Sequence, residues 1–240
     1  MIKLFALFIS VALIPVVLEG QTIDSSSVAE NALELYNSGD FDQAEDLFKK
    51  AVKNDPDNVD LRLYLANSQF AQYKYDQAIK NYNKVLKHDD SYVDALFNRG
   101  NVYYEIFKFP KAIKDMEKVI EMDENNVDAY SVLGSAWFNQ EEFEKAFDFF
   151  SEGIRVAPDS ASLYYDRGNA LFMMEKYEEA LQDYSQAIER DNSDPDYYFN
   201  RALTQFYLNL NESACSDLKK AAQLGDEQAT QYIGEFCTDL

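Results

Sequence analysis

The sequence predicts an all-α fold: six helical hairpins stacked as a solenoid and closed by a C-terminal capping helix. Three observations carry that expectation. Ala44, Ala78, Ala112, Ala146, Ala180 and Ala214 recur at a constant step of 34 residues. Three more columns keep the same step, offset by three, four and three residues, so that all four lie on one helical face. The links between units, DPDNVD, HDDSYVD, MDENNVD, APDSAS and DNSDPD, are rich in the Asp, Asn, Ser and Pro that start and stop helices. With 47% hydrophobic residues and only five prolines, the chain has the apolar content to fold and few breaks in its helices.

Residues 1–20, MIKLFALFISVALIPVVLEG, have one early base, Lys3, then an apolar run from Leu4 to Leu18 and Gly20 before Gln21. That is the layout of a secretory signal peptide. The run is shorter than the roughly 20 residues a spanning helix needs, and Pro15 interrupts it. Two readings stand: a cleaved signal peptide, or an uncleaved anchor through which alone the chain would touch a membrane. Either makes this an exported protein, periplasmic or secreted.

Within the repeats, residues 25–227, the first column is Phe41, Tyr75, Phe109, Phe143 and Tyr177, broken only by Asn211. The third is Phe48, Tyr82, Met116, Phe150, Tyr184 and Leu218, and the fourth is Ala51, Val85, Val119, Gly153, Ala187 and Ala221. Twelve residues before each column alanine stands a small residue: Ala32, Ala66, Gly100, Gly134, Gly168 or Ala202. Small residues let two antiparallel helices approach closely, and the aromatics are expected to wedge between one hairpin and the next. A lone hairpin cannot bury both of its sides, so the units must stack.

Residues 228–240 form the expected capping helix, with Ala229, Tyr232, Ile233 and Phe236 at helical spacing after Gly225. Cys215 lies ten residues before Gly225 and Cys237 eleven after Asp226, each about 15 Å up its helix at about 1.5 Å per residue. They are expected to be level, either bridged in an oxidising compartment or packed as two buried thiols.

Arg99, Arg167 and Arg201 share a column, and sixteen residues later stand Asp115, Asp183 and Asp217. Units lacking the arginine lack the aspartate, having Leu47, Asn81 or Phe149 there. Each arginine is therefore expected to form a structural pair with its own unit's aspartate rather than to grip a ligand. Asp55, Asp57 and Asp60 look like the start of a calcium loop, but the central Gly and closing Glu are missing, which leaves helix capping.

This period and these columns resemble the tetratricopeptide repeat (TPR) family. The resemblance implies a right-handed superhelix whose first helices line a concave groove that binds peptide or protein segments. The implied partner-binding groove would be drawn from Tyr64, Asn67, Phe97, Asn98, Asn101, Tyr104, Ser131, Ser135, Phe138, Tyr165, Asp166, Asn169, Phe199 and Asn200. Asn67, Asn101 and Asn169 share a column and could address a peptide backbone; the alternative is that they cap neighbouring helices or are solvated. The co-chaperones of this family that hold a C-terminal carboxylate do so with bases in two groove columns. Here those columns, Ala29 to Phe199 and Glu30 to Asn200, contain none.

The net charge of -21 sets nucleic acid aside as a partner and favours a protein or peptide with basic patches. No catalytic, cofactor or metal residues are expected. His88 is the single histidine and sits in a link as a cap or surface residue, and no phosphate loop or nucleophile set is present. No small-molecule substrate is indicated. Asn211-Glu212-Ser213 matches a glycosylation sequon, which chance suffices to explain. The expected function is a non-catalytic protein-interaction scaffold; the alternative is a structural subunit of an envelope complex or a self-assembling solenoid.

Overall fold

The computed structural model describes residues 23–237, with side chains from Ser27; the N-terminal segment expected to be a signal peptide or anchor, residues 1–20, lies outside them. The described residues form thirteen α-helices and no strand. Two compact units meet in sequence at Ile106 and Phe107. The first contains α1 (Ile23–Asn37), α2 (Phe41–Asn54), α3 (Val59–Ala71), α4 (Tyr75–His88) and α5 (Val93–Glu105). The second contains α6 (Phe109–Met122), α7 (Val127–Phe138), α8 (Phe143–Val156), α9 (Ala161–Met173), α10 (Tyr177–Arg190), α11 (Pro195–Tyr207), α12 (Asn211–Gln223) and α13 (Glu227–Phe236). In each unit every helix packs on the next in sequence. None of the described helices is long and apolar enough to cross a membrane.

Three of the links, and the turns before α2 and α13, supply a side-chain cap to the helix that follows, whereas Tyr92 before α5 and Ser160 before α9 do not. Asp40, Asn58, Asn126, Asp194 and Asp226 each accept a backbone N–H of the following first turn, satisfying donors that a helix leaves open. Within the hairpins the stop is different: the residue at Gly39, Tyr73, Phe107, Glu141, Glu175, Asn209 and Gly225 has a positive φ. The next N–H then reaches back five residues, as in Lys74 N to Gln69 O (2.8 Å) and Lys176 N to Leu171 O (2.9 Å). Bulky residues bear about 1–2 kcal/mol each in this left-handed conformation, so the turn is imposed by packing and not by local preference.

The column alanines are completely buried, and the third column, from Phe48 to Leu218, is buried throughout. The glycines explain how. A Cβ at Gly134 would lie 2.4 Å from the Phe150 ring, and one at Gly168 would lie 2.8 Å from Tyr184. Of the first-column aromatics, Tyr177 wedges against the next hairpin, stacked on Tyr207 with ring centroids 4.7 Å apart. Phe41, Tyr75, Phe143 and Tyr177 pack on Tyr36, Phe70, Phe138 and Phe172, at the last turn of the preceding helix, with ring centroids 5.3–6.1 Å apart. They brace the corner of their own hairpin. Other aromatic contacts between hairpins include Phe48 of α2 with Tyr64 of α3 (5.6 Å) and Tyr165 of α9 with Tyr197 of α11 (4.9 Å).

At the C-terminus α13 covers the core of α11 and α12, with Ala229 buried and Tyr232 and Ile233 packed against it. Phe236 stays 53% exposed. Cys215 and Cys237 are joined by a disulfide across this hairpin, their Cα atoms 5.7 Å apart.

Candidate functional site

The first helices of successive hairpins touch one another: α1 with α3 and α3 with α5 in the first unit, α7 with α9 and α9 with α11 in the second. The face they share is where the sequence points for a partner. The structure divides the fourteen candidate residues in two. Tyr64, Phe97, Tyr104, Ser131, Ser135, Phe138, Asp166 and Asn200 are half-buried, whereas Asn67, Asn98, Asn101, Tyr165, Asn169 and Phe199 are buried.

The asparagine ladder requires a correction, because Asn67 and Asn169 are bonded internally. Tyr82 donates its hydroxyl proton to Asn67 Oδ1 at 2.7 Å, and Tyr184 does the same to Asn169 Oδ1 at 2.8 Å. The following repeat adds a second donor to each oxygen, Asn98 Nδ2 at 3.1 Å and Asn200 Nδ2 at 3.0 Å. Asn67 and Asn169 also hydrogen-bond the Tyr36 and Tyr165 hydroxyls, and burial, the larger influence, pushes the Tyr36 hydroxyl up to about 12. These amides are neither helix caps nor solvated; they couple one repeat to the next.

Asn101 is the exception. Its side chain is fully buried and both polar atoms lack a partner among the described residues. The positions that serve Asn67 and Asn169, fifteen and thirty-one residues downstream, are Met116 and Val132 for Asn101, and neither offers a donor. A buried amide without partners costs about 1–3 kcal/mol.

Two further candidates are consumed by packing. The Phe138 ring lies 5.3 Å from Phe143 at its hairpin corner, and the Phe199 ring lies 5.4 Å from Tyr232, beneath the capping helix. Asp166 behaves differently. It has neither a hydrogen-bond partner nor an ion pair among the described residues, and burial pushes its carboxyl up to about 7. It raises the pKa of Tyr165, Tyr184 and Tyr197 in turn, with burial the larger cause in each.

The arginines lie away from these tyrosine and asparagine bonds. Arg167 makes a two-pronged contact with Asp183 through Nε (2.7 Å) and Nη2 (2.8 Å), while Nη1 reaches Ser151 of the preceding hairpin at 3.3 Å. Arg201 repeats the pattern with Asp217 at 2.7 and 2.8 Å and Ser185 at 3.2 Å. Arg99 donates to Asn83 at 2.6 Å within the first unit, and Asp115 is buried in the second. Each arginine thus also contacts the residue sixteen positions upstream, a second partner that the arginine–aspartate pattern does not announce.

A second network escapes sequence inspection. Glu45, nearly inaccessible to solvent, accepts from Gln69 Nε2 (3.0 Å), Gln72 Nε2 (3.1 Å) and Lys74 Nζ (2.6 Å). Burial alone would raise its pKa, but hydrogen bonds from Lys74, Gln69 and Lys49 outweigh it and the carboxyl is pushed down to about 2.

Family models described as tetratricopeptide repeat match residues 35–99 and 93–126, and one described as TPR repeat matches residues 168–209. The three together span more than half of the chain. The chain belongs to the tetratricopeptide repeat family. Solved TPR-like structures share the fold. MamA is 27% identical over 69% of this chain and 97% of its own, with a TM-score of 0.65. YrrB, a TPR protein with an unusual peptide-binding site, is 22% identical over 78% and 97%, with a TM-score of 0.66. PilF of Pseudomonas aeruginosa is 18% identical over 88% and 97%, with a TM-score of 0.74. No curated protein matches the chain.

Proposed function

We propose that this TPR protein is a non-catalytic, exported scaffold that binds a basic segment of another protein on the face shared by its first helices. The observation that carries this reading is Asp166, a half-buried carboxyl on the α7, α9 and α11 face with no compensating charge. A solitary half-buried carboxyl destabilises the fold when it is charged, and an incoming ammonium or guanidinium would relieve it. Ser131 and Ser135 are small, half-buried residues of α7, the first helix of the preceding hairpin. The overall charge of -21 supports attraction of basic segments at long range. Export is supported by the apolar N-terminal segment and by the Cys215–Cys237 bond, which an oxidising compartment sustains. The binding of peptides by YrrB is a property of that protein and lends the reading an analogy within the family.

The test is site-specific photo-cross-linking from Ser131 and Ser135 in cells, followed by affinity measurement with whichever protein is trapped. Asp166→Lys is expected to weaken that protein at least about tenfold and to flatten its salt dependence. Cross-links that form only from the outer faces of α8, α10 and α12 would remove the assignment.

A further inference from the structure

Away from the first helices, the second helices of two repeats carry opposite charges at equivalent positions. In α4, Lys80 and Lys84 are exposed, and neither has an ion pair among the described residues. Two repeats later, α8 carries Asp148 and Glu152 at the same two positions, 68 residues on in each case. Both are exposed, Asp148 without an ion pair and Glu152 held only by the exposed Arg155 at 2.8 Å. Residues four apart on a helix lie about 6 Å from one another along its axis and on one face. The two pairs therefore match in spacing and oppose in sign, and an antiparallel arrangement keeps the exposed Asp76, four residues before Lys80, away from its acidic equivalent Glu144.

We propose that the Lys80/Lys84 face of α4 docks on the Asp148/Glu152 face of α8 in a second copy of this chain. Equal spacing lets both charge pairs form together, and the residues between them, Asn83 and Ser151, are polar. The contact is independent of the partner face proposed above, because it uses the second helices of the repeats.

Net charge makes the test discriminating. Two copies each bearing -21 repel more strongly as salt is withdrawn, so association that grows at low salt must come from a complementary pair of faces. Sedimentation velocity of the purified chain at about 50 and about 500 mM salt is expected to show multimers at the lower value and single chains at the higher. Lys80→Glu with Lys84→Glu, and separately Asp148→Lys with Glu152→Lys, should each weaken association at least about tenfold. The fourfold exchange should restore it, and its circular dichroism should match the parent. Single chains at both salt concentrations, multimers indifferent to the exchanges, or a fourfold variant that stays single would each overturn the proposal. So would binding to anionic lipid vesicles that disappears with Lys80→Glu and Lys84→Glu, which would give the lysine face to a membrane surface.

Discussion

Asp183→Ala is expected to destabilise the protein by about 3 kcal/mol. Two guanidinium nitrogens of Arg167 lie 2.7 and 2.8 Å from the two oxygens of Asp183, and the side chains are 21% and 8% exposed. Removing the acceptor strands a charge in a mostly buried place, for which losses of about 3–5 kcal/mol are usual. The lower end applies here because Arg167 keeps some solvent, the Ser151 hydroxyl at 3.3 Å, and the Phe147 and Tyr164 rings 5.6 and 5.5 Å from its carbon. Ser151→Ala deletes one long bond to a neutral acceptor and should cost less than about 1 kcal/mol. Arg167→Met with Asp183→Leu removes both charges and fills the volume, so it should fall within about 1 kcal/mol of the parent. The measurement is urea unfolding followed by circular dichroism and tyrosine fluorescence, whose coincidence tests for a single transition. If Asp183→Ala costs less than about 1 kcal/mol, or the double variant costs as much as the two single changes added, the stranded-charge account fails.

Other perturbations probe the remaining contacts. Gly134→Ala forces a methyl to 2.4 Å from the Phe150 ring and should cost about 2 kcal/mol, most of it recovered in a Phe150→Leu background; a neutral melt would contradict the close approach. Asn101→Leu should raise stability by about 1 kcal/mol by removing an unpartnered amide, whereas Asn169→Leu should lower it by orphaning the Tyr184 hydroxyl. Equal thermal shifts for the two would dissolve the distinction. Cys215→Ser with Cys237→Ser opens a link between residues 22 apart and should cost about 3 kcal/mol in denaturant unfolding. For Asp166 the folded pKa of about 7 exceeds the ordinary 3.8, so its folded form holds the proton longer and stability falls as pH rises between those values. Asp166→Asn should therefore leave the midpoint unchanged near about pH 4 and add on the order of 2 kcal/mol above about pH 8, a figure reduced for the water that reaches a half-buried group.

Much of the architecture was legible before any coordinates. A residue that must be small or apolar at one point of a hairpin must be so in every hairpin, and repetition turns that constraint into columns. Ala44 to Ala214 mark the axis of the core for this reason, and the acidic links mark the helix starts because open backbone donors need acceptors there. A further column, Tyr36, Phe70, Tyr104, Phe138, Phe172 and Phe206, is aromatic throughout at the same step. It could have shown that the first-column rings have partners inside their own hairpins. The asparagines were harder. Asn67, Asn101 and Asn169 look alike in sequence, and the signal that separates them lies fifteen and thirty-one residues away, at Tyr82, Met116 and Tyr184 and at Asn98, Val132 and Asn200.

The sequence by itself determined the unit, its period, the stacking of its neighbours and the family, because burial of apolar area is nearly blind to detail and needs only residues of the right size at the right step. Which polar groups remain available to a partner was decided by the tertiary structure alone. A hydrogen bond depends on tenths of an ångström and on direction, so Asn67 and Asn169 are bonded internally and Asp166 is left uncompensated, though all three stand on the same face of equivalent helices.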